Sequence, residues 1–267
     1  MCCRAFGADS GRHRSECDIR NYVRYIASQR DSNMKRVNTI VTLYSLTALV
    51  IIIERLLPIT RVLLQPYDFI RLHEINQTVI FLPITVILSC FVLQSVTDNF
   101  RTLNRTFNTV LAVVFICGAY LYGAGEGWHE VASFTLNTYC DAQNLAGNLC
   151  QGLFINDYYA GNLIFFVGGV MINTALLVLA TQQKMERFNN KDLTILLLNS
   201  LVYAFTWFAY AAFDVVLLGL FFAALLALIS MAAWVKVRRN IREYPYITYS
   251  VVAYTLATLA TIIYRAS

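Results

Sequence analysis

The stretch that decides the fold is Leu193–Trp234, LTILLLNSLVYAFTWFAYAAFDVVLLGLFFAALLALISMAAW, 42 residues with a single charged side chain, Asp214. A bilayer core of roughly 30 Å is crossed by about 20 apolar residues in a helix, so this run is long enough for two spans. Asp214 stands near its middle and marks the reversal between them. The run is continuous rather than alternating, which argues for helices and against the strands of a membrane barrel.

Five further runs of this kind lie along the chain: Val37 to about Ile53, Ile75–Val96, Phe107–Ala124, Ala160–Thr181 and Tyr246–Tyr264. The expectation is therefore an all-α, polytopic membrane bundle of seven transmembrane helices, over residues 37–53, 75–96, 107–124, 160–181, 193–213, 215–234 and 246–264, behind a cytoplasmic arm at 1–36. Composition agrees. Of 267 residues 58% are apolar, 14% charged and 13% aromatic, and the mean hydropathy is +0.55. A soluble domain averages roughly 45–50% apolar and about 25% charged. These values exclude a disordered chain and a disulfide-dense miniprotein. They also argue against a nucleic-acid partner, despite a net charge of +5.

Lys and Arg report orientation in such a chain. With the N-terminus cytoplasmic, 17 of the 21 basic residues fall on the inner side: eight in the arm, then Arg101 and Arg105, then Lys184, Arg187 and Lys191, then Lys236, Arg238, Arg239 and Arg242. Arg55, Arg61, Arg71 and Arg265 are left outside. This predicts an integral multi-pass protein, N-in and C-out, with the membrane that holds it undetermined. The arm is polar, unlike a cleaved signal. It spaces Ile19, Val23, Tyr22 and Ile26 on one stripe among Arg20, Arg24 and Arg30, the pattern of an amphipathic helix on anionic inner-leaflet lipids. Cys2 and Cys3 beside it are candidates for palmitoylation.

Of the seven cysteines, only Cys140 and Cys150 fall in the expected outer loop, about Gly125–Tyr159, and the sequence predicts a disulfide between them. Between the first two spans Pro58 and Pro66 interrupt Leu56–Ile70, which reads as an interfacial segment. A glycosylation sequon, Asn76-Gln77-Thr78, follows close to the second span.

Ionisable residues at membrane depth are functional candidates, and they gather at the outer ends: Glu54, His73-Glu74, the Gly-Ala-Gly-Glu-Gly-Trp-His-Glu run with Glu126, His129 and Glu130, then Asp157 and Asp214. Glu126 and His129 are three apart and share a helix face. Glu-x-x-His pairs of this kind serve helical metal sites. The candidate ligands are His129, Glu126, His73 and Glu74, for Zn, Fe or Mn; the candidate catalytic set is Glu126, His129 and Asp157. Asp157 is also placed to cap the fourth helix, and facing His129 it would serve as a general base or orient the imidazole. Gly168-Gly169 offers a close helix approach that Asn173 would bridge. The aromatic group Tyr203, Phe205, Trp207, Phe208, Tyr210 and Phe213 reads as an outer interfacial belt with some bundle contacts, and not as a ligand box.

Seven spans in this length with an inverted orientation resemble the heliorhodopsin branch of retinal proteins. Retinal attachment needs a lysine in the last span, and the four lysines are Lys35, Lys184, Lys191 and Lys236, with Tyr254 near the middle of that span. Trp128-His129-Glu130 followed by Asp157-Tyr158-Tyr159-Ala160-Gly161 is similar to the Ser-x-x-x-His and Asp motifs of alkaline-ceramidase and adiponectin-receptor-like hydrolases. Their serine and their last-span histidine pair are both missing here, so membership in neither family is expected. Walker, nucleophile-elbow, Rossmann and zinc-finger patterns are absent. Three functions stay open: a metal-dependent enzyme on a lipid or small amphiphile, a proton- or cation-coupled transporter or channel, and an interaction protein presenting a disulfide-stapled loop to an oligomer or protein partner.

Overall fold

A computed structural model describes residues 35–141, 144–214 and 216–267. The predicted arm helix and the lipid contacts assigned to it lie outside the described residues. Within them the protein is helical, with no strand, and seven helices are long and apolar enough to cross a membrane: α1 (Lys35–Leu56), α2 (Leu72–Val96), α3 (Thr106–Tyr139), α4 (Gly147–Ala180), α5 (Asn190–Phe213), α6 (Leu218–Lys236) and α7 (Pro245–Ala266). Leu43, Val50, Val113, Ile116, Leu228 and Ile263 stay exposed on their outer surfaces. In water such a surface would be an aggregation hazard; in hydrocarbon it is the solvated face.

Two helices outrun the sequence reading. At 34 residues each, α3 and α4 extend about 51 Å, well beyond a core of roughly 30 Å. The expected loop from Gly125 to Tyr159 is therefore mostly helix, and the connection shrinks to the segment around Cys140, whose Sγ lies 2.04 Å from that of Cys150. Because α4 is already helical at Gly147, Asp157 cannot cap its start. It sits instead inside a wide, π-type turn over Asn156–Gly161, and α2 carries a matching turn over Asn76–Phe81. Such turns re-aim side chains within a helix and recur at functional sites.

Glycines set how closely α3 and α4 pack. Gly118 and Gly125 on α3, seven apart, face Gly168 and Gly161 on α4. A Cβ on Gly125 would fall 2.2 Å from the Phe165 amide nitrogen, and one on Gly168 would fall 2.2 Å from that of Tyr122. Only a hydrogen fits, so the backbones meet directly, as in small-residue seams of membrane helices. Gly161 lies under His129 by the same token, 2.7 Å from its amide nitrogen to a built Cβ. The seam thus fixes the height at which His129 meets α4.

At one end of the bundle the helix termini are basic. There Arg36 donates to Asn99 and Gln94, Lys184 pairs with Glu243 at 2.9 Å, and Arg242 reaches the Phe188 carbonyl at 3.1 Å. Val92, Phe115, Ile172, Leu176 and Ile247 form the main core in that half. Asn173 does bond between helices, but not across the glycine contact with α3: its Oδ1 accepts from Tyr246 and Tyr254 of α7, each at 3.0 Å. At the other, acidic end Asp214 forms the turn after α5, as the sequence predicts. Arg265 donates to the carbonyls of Ala211 and Asp214, satisfying the last turn of α5 with a cation.

Candidate functional site

The acidic end holds a vestibule of about 640 Å³, lined on its polar side by Arg55, Arg61, Arg71, His73, His129, Glu130 and Asp157 and on its apolar side by Ile52, Leu56, Phe205 and Phe213. Charges buried in such a place cost several kcal/mol each unless partnered, and the bundle partners them across helices. Arg55 on α1 donates to Glu130 on α3 at 2.9 Å, and Arg71 reaches Glu74 at 2.7 Å through Nε. His73 Nδ1 lies 2.6 Å from Glu54 Oε2, and Asn76 and Gln77 donate to the same carboxylate at 3.2 and 2.9 Å. The π-type turn of α2 swings Gln77 into this group. Glu54 thereby serves three donors from α2, and the side chain of the sequon residue Asn76 is committed to it.

The second histidine has a different partner. His129 Nδ1 is hydrogen-bonded to the Asp157 backbone carbonyl at 3.1 Å, and Asp157 Oδ1 lies 2.9 Å away as an ionic contact that is not itself a hydrogen bond. Asn162 donates to that carbonyl at 3.2 Å and accepts from Tyr210 at 3.1 Å. A histidine held through Nδ1 by an acidic residue keeps one orientation and leaves Nε2 for chemistry.

Of the four candidate metal ligands, His73 is bound to Glu54, Glu74 to Arg71 and His129 to Asp157, while Glu126 stands apart from these pairs. Among the described residues no group of three His, Cys, Asp or Glu side chains is placed to hold a metal. The catalytic candidates fare differently. His129 and Asp157 are brought into contact, and Glu126 lies one turn below them on α3.

Beneath the vestibule, and sharing Arg55, His129, Asn162 and Tyr210 with it, is a second chamber of about 140 Å³. Its walls include Glu126 and the rings of Tyr122, Phe165, Phe166, Tyr203, Trp207 and Tyr210. The aromatic group of α5 is thus split. Phe205 and Phe213 are exposed, as a belt requires, but Tyr203, Trp207 and Tyr210 repeat at helical spacing on the inner face. Arg55 and Arg71 are the residues whose part in the site the sequence reading missed, since it counted them only for orientation. Arg55 finds its partner Glu130 on α3, whereas Arg71 finds Glu74 three residues further along the chain. No protein-family model matches the chain, and no curated protein or solved structure does.

Proposed function

We propose that this is a multi-pass membrane enzyme whose acidic end faces outward and whose vestibule admits a lipid or small amphiphile to the His129–Asp157 pair. The observation that carries this reading is the oriented histidine on the wall of a 640 Å³ cavity that has both a polar and an apolar side. The charge sorting of the sequence supports the orientation, N-terminus in and C-terminus out.

Hydrolysis is the simplest reaction for the pair. His129 takes a proton from a water whose oxygen attacks an ester carbon, and returns that proton to the departing alcohol, so one water is consumed and the enzyme is restored. Asp157 is a positioning residue. Wild-type protein in nonionic micelles, incubated with carboxylic-ester and phosphoester amphiphiles and followed by mass spectrometry, should release products. His129→Gln should lower the rate by about 10²-fold or more, and Asp157→Asn by about 10-fold or more. Chelators should leave the rate unchanged; loss on chelation with recovery on adding Zn, Fe or Mn would reinstate a metal role for His129, Glu126, His73 and Glu74. No product from wild-type protein in either series would overturn the enzyme reading.

A second reading, proton- or cation-coupled transport, is favoured by one observation. Below Glu126 the interior stays polar, through Tyr44 with Ser89 at 3.2 Å, Ser45 with Tyr249 at 3.0 Å, and the Asn173 cluster. Acid-driven uptake by proteoliposomes that Glu126→Gln abolishes would select it.

A further inference from the structure

The acids of the acidic end divide sharply. Glu130 is held by Arg55, Glu74 by Arg71, Glu54 by His73 and Asp157 by His129. Glu126 makes no hydrogen bond and no ion pair among the described residues, yet it is not spread on the surface: it lines the inner chamber. The other ionic groups on that wall are Arg55, neutralised by Glu130, and His129, engaged with Asp157. The chamber therefore presents, inside a ring of aromatic faces, one carboxylate with no hydrogen-bond or ion-pair partner among the described residues, within electrostatic reach of Arg55 and His129.

Two physical effects then favour the same kind of occupant. A partly desolvated carboxylate is costly until a cation or a donor meets it. The faces of Tyr and Trp carry negative quadrupole density and attract a cation within about 6 Å, most strongly when water is excluded. A simple anion finds neither, because the nearest guanidinium already has its carboxylate. Size agrees as well. The 140 Å³ of this chamber is close to the roughly 150 Å³ of a protein cavity that holds one benzene-sized molecule, which suits a small alkylammonium group but not a lipid tail.

We propose that the inner chamber is a subsite for an organic ammonium group, its charge against Glu126 and its methyl or methylene surface against Tyr122, Tyr203, Trp207 and Tyr210. The proposal rests on the reading that ligands enter through the vestibule, and it names their class: amphiphiles or small molecules bearing an alkylated amine. The remainder of such a molecule would extend past His129 toward the vestibule.

The test uses the full-length protein in nonionic detergent with Trp128 and Trp234 replaced by Phe, so that fluorescence reports Trp207. Choline chloride and tetramethylammonium chloride are titrated against 3,3-dimethyl-1-butanol, the uncharged isostere of choline. Saturable quenching by both cations is expected, with the neutral isostere at least about 10-fold weaker. Glu126→Gln should remove that preference, weakening choline about 10-fold or more while leaving the isostere unchanged, and Glu126→Asp should restore part of it. Equal binding of choline and its isostere, or choline binding untouched in Glu126→Gln, would overturn the subsite. Asp157→Asn separates the two readings, since Asp157 lines the vestibule and not the inner chamber: it should lower turnover by about 10-fold or more and keep choline binding. Choline binding without any turnover would sink the enzyme and retain the subsite, whereas turnover confined to uncharged amphiphiles would do the reverse.

Discussion

Glu54 and Arg55 are neighbours in sequence but serve opposite sides of α1, one facing α2 and the other α3. Removing one member of a buried pair strands the other, which typically costs 3–5 kcal/mol, whereas removing both can be close to neutral. The Glu130 side chain is only 2% exposed and that of Arg55 32%, so the lower end of that range applies. Arg55→Met should therefore destabilise the protein by about 3 kcal/mol, and Arg55→Met with Glu130→Leu should recover most of the loss, as read by thermal unfolding in detergent. Equal losses in the single and double variants would show that the pair is not coupled. Glu54→Ala leaves His73, Asn76 and Gln77 without their acceptor and should cost about as much. In the sequence, His129 and Asp157 stood out because charges are scarce in so apolar a chain. Asp157 facing His129 was among the sequence readings; the partners of Glu54 and Arg55 were not, because they come from other helices and depend on how those helices rotate.

The α3–α4 seam carries a sharper test. Gly125→Ala and Gly168→Ala each drive a Cβ to 2.2 Å from backbone nitrogen, which no side-chain movement relieves. Both should lower stability by several kcal/mol, roughly 2–4, by overpacking. On the same helix Gly127 has nothing within 4 Å of its built Cβ, so Gly127→Ala should be neutral or stabilising by about 0.5–1 kcal/mol through helix propensity. A loss at Gly127 as large as that at Gly125 would refute the seam. Hydropathy located all seven helices, since the bilayer dictates both their length and their apolarity. It stopped α3 at Ala124, because Gly125, Glu126, Gly127, His129 and Glu130 follow at once and Ser133, Thr135, Asn137 and Thr138 keep the signal low. The helix nonetheless continues, held by packing on α4 and by threonine and asparagine side chains bonding back to carbonyls one turn earlier. The aromatic group of α5 was legible as a belt with some bundle contacts, but only the helical register says which rings do which, separating Tyr203, Trp207 and Tyr210 from their exposed neighbours.

The bundle has two chemically distinct ends, one rich in basic residues and one in which Glu54, Glu74, Glu130 and Asp157 lie against arginine or histidine. Orientation gives those ends their meaning. A C-terminal epitope should be reachable by antibody in intact cells, and protection until permeabilisation would invert the topology. Reduction of the Cys140–Cys150 bridge, which closes a loop of 10 residues, should lower stability by about 2–3 kcal/mol on loop-entropy grounds, without altering choline binding in the distant chamber. The proposed outward-facing vestibule that takes amphiphiles is tested most directly through Ser133, which lines the cavity. With the other free cysteines replaced by serine, Ser133→Cys should react from outside intact cells with a membrane-impermeant maleimide, and dodecyltrimethylammonium should slow that reaction. Reaction only after permeabilisation, or at a rate the amphiphile leaves unchanged, would contradict an external site that takes such ligands.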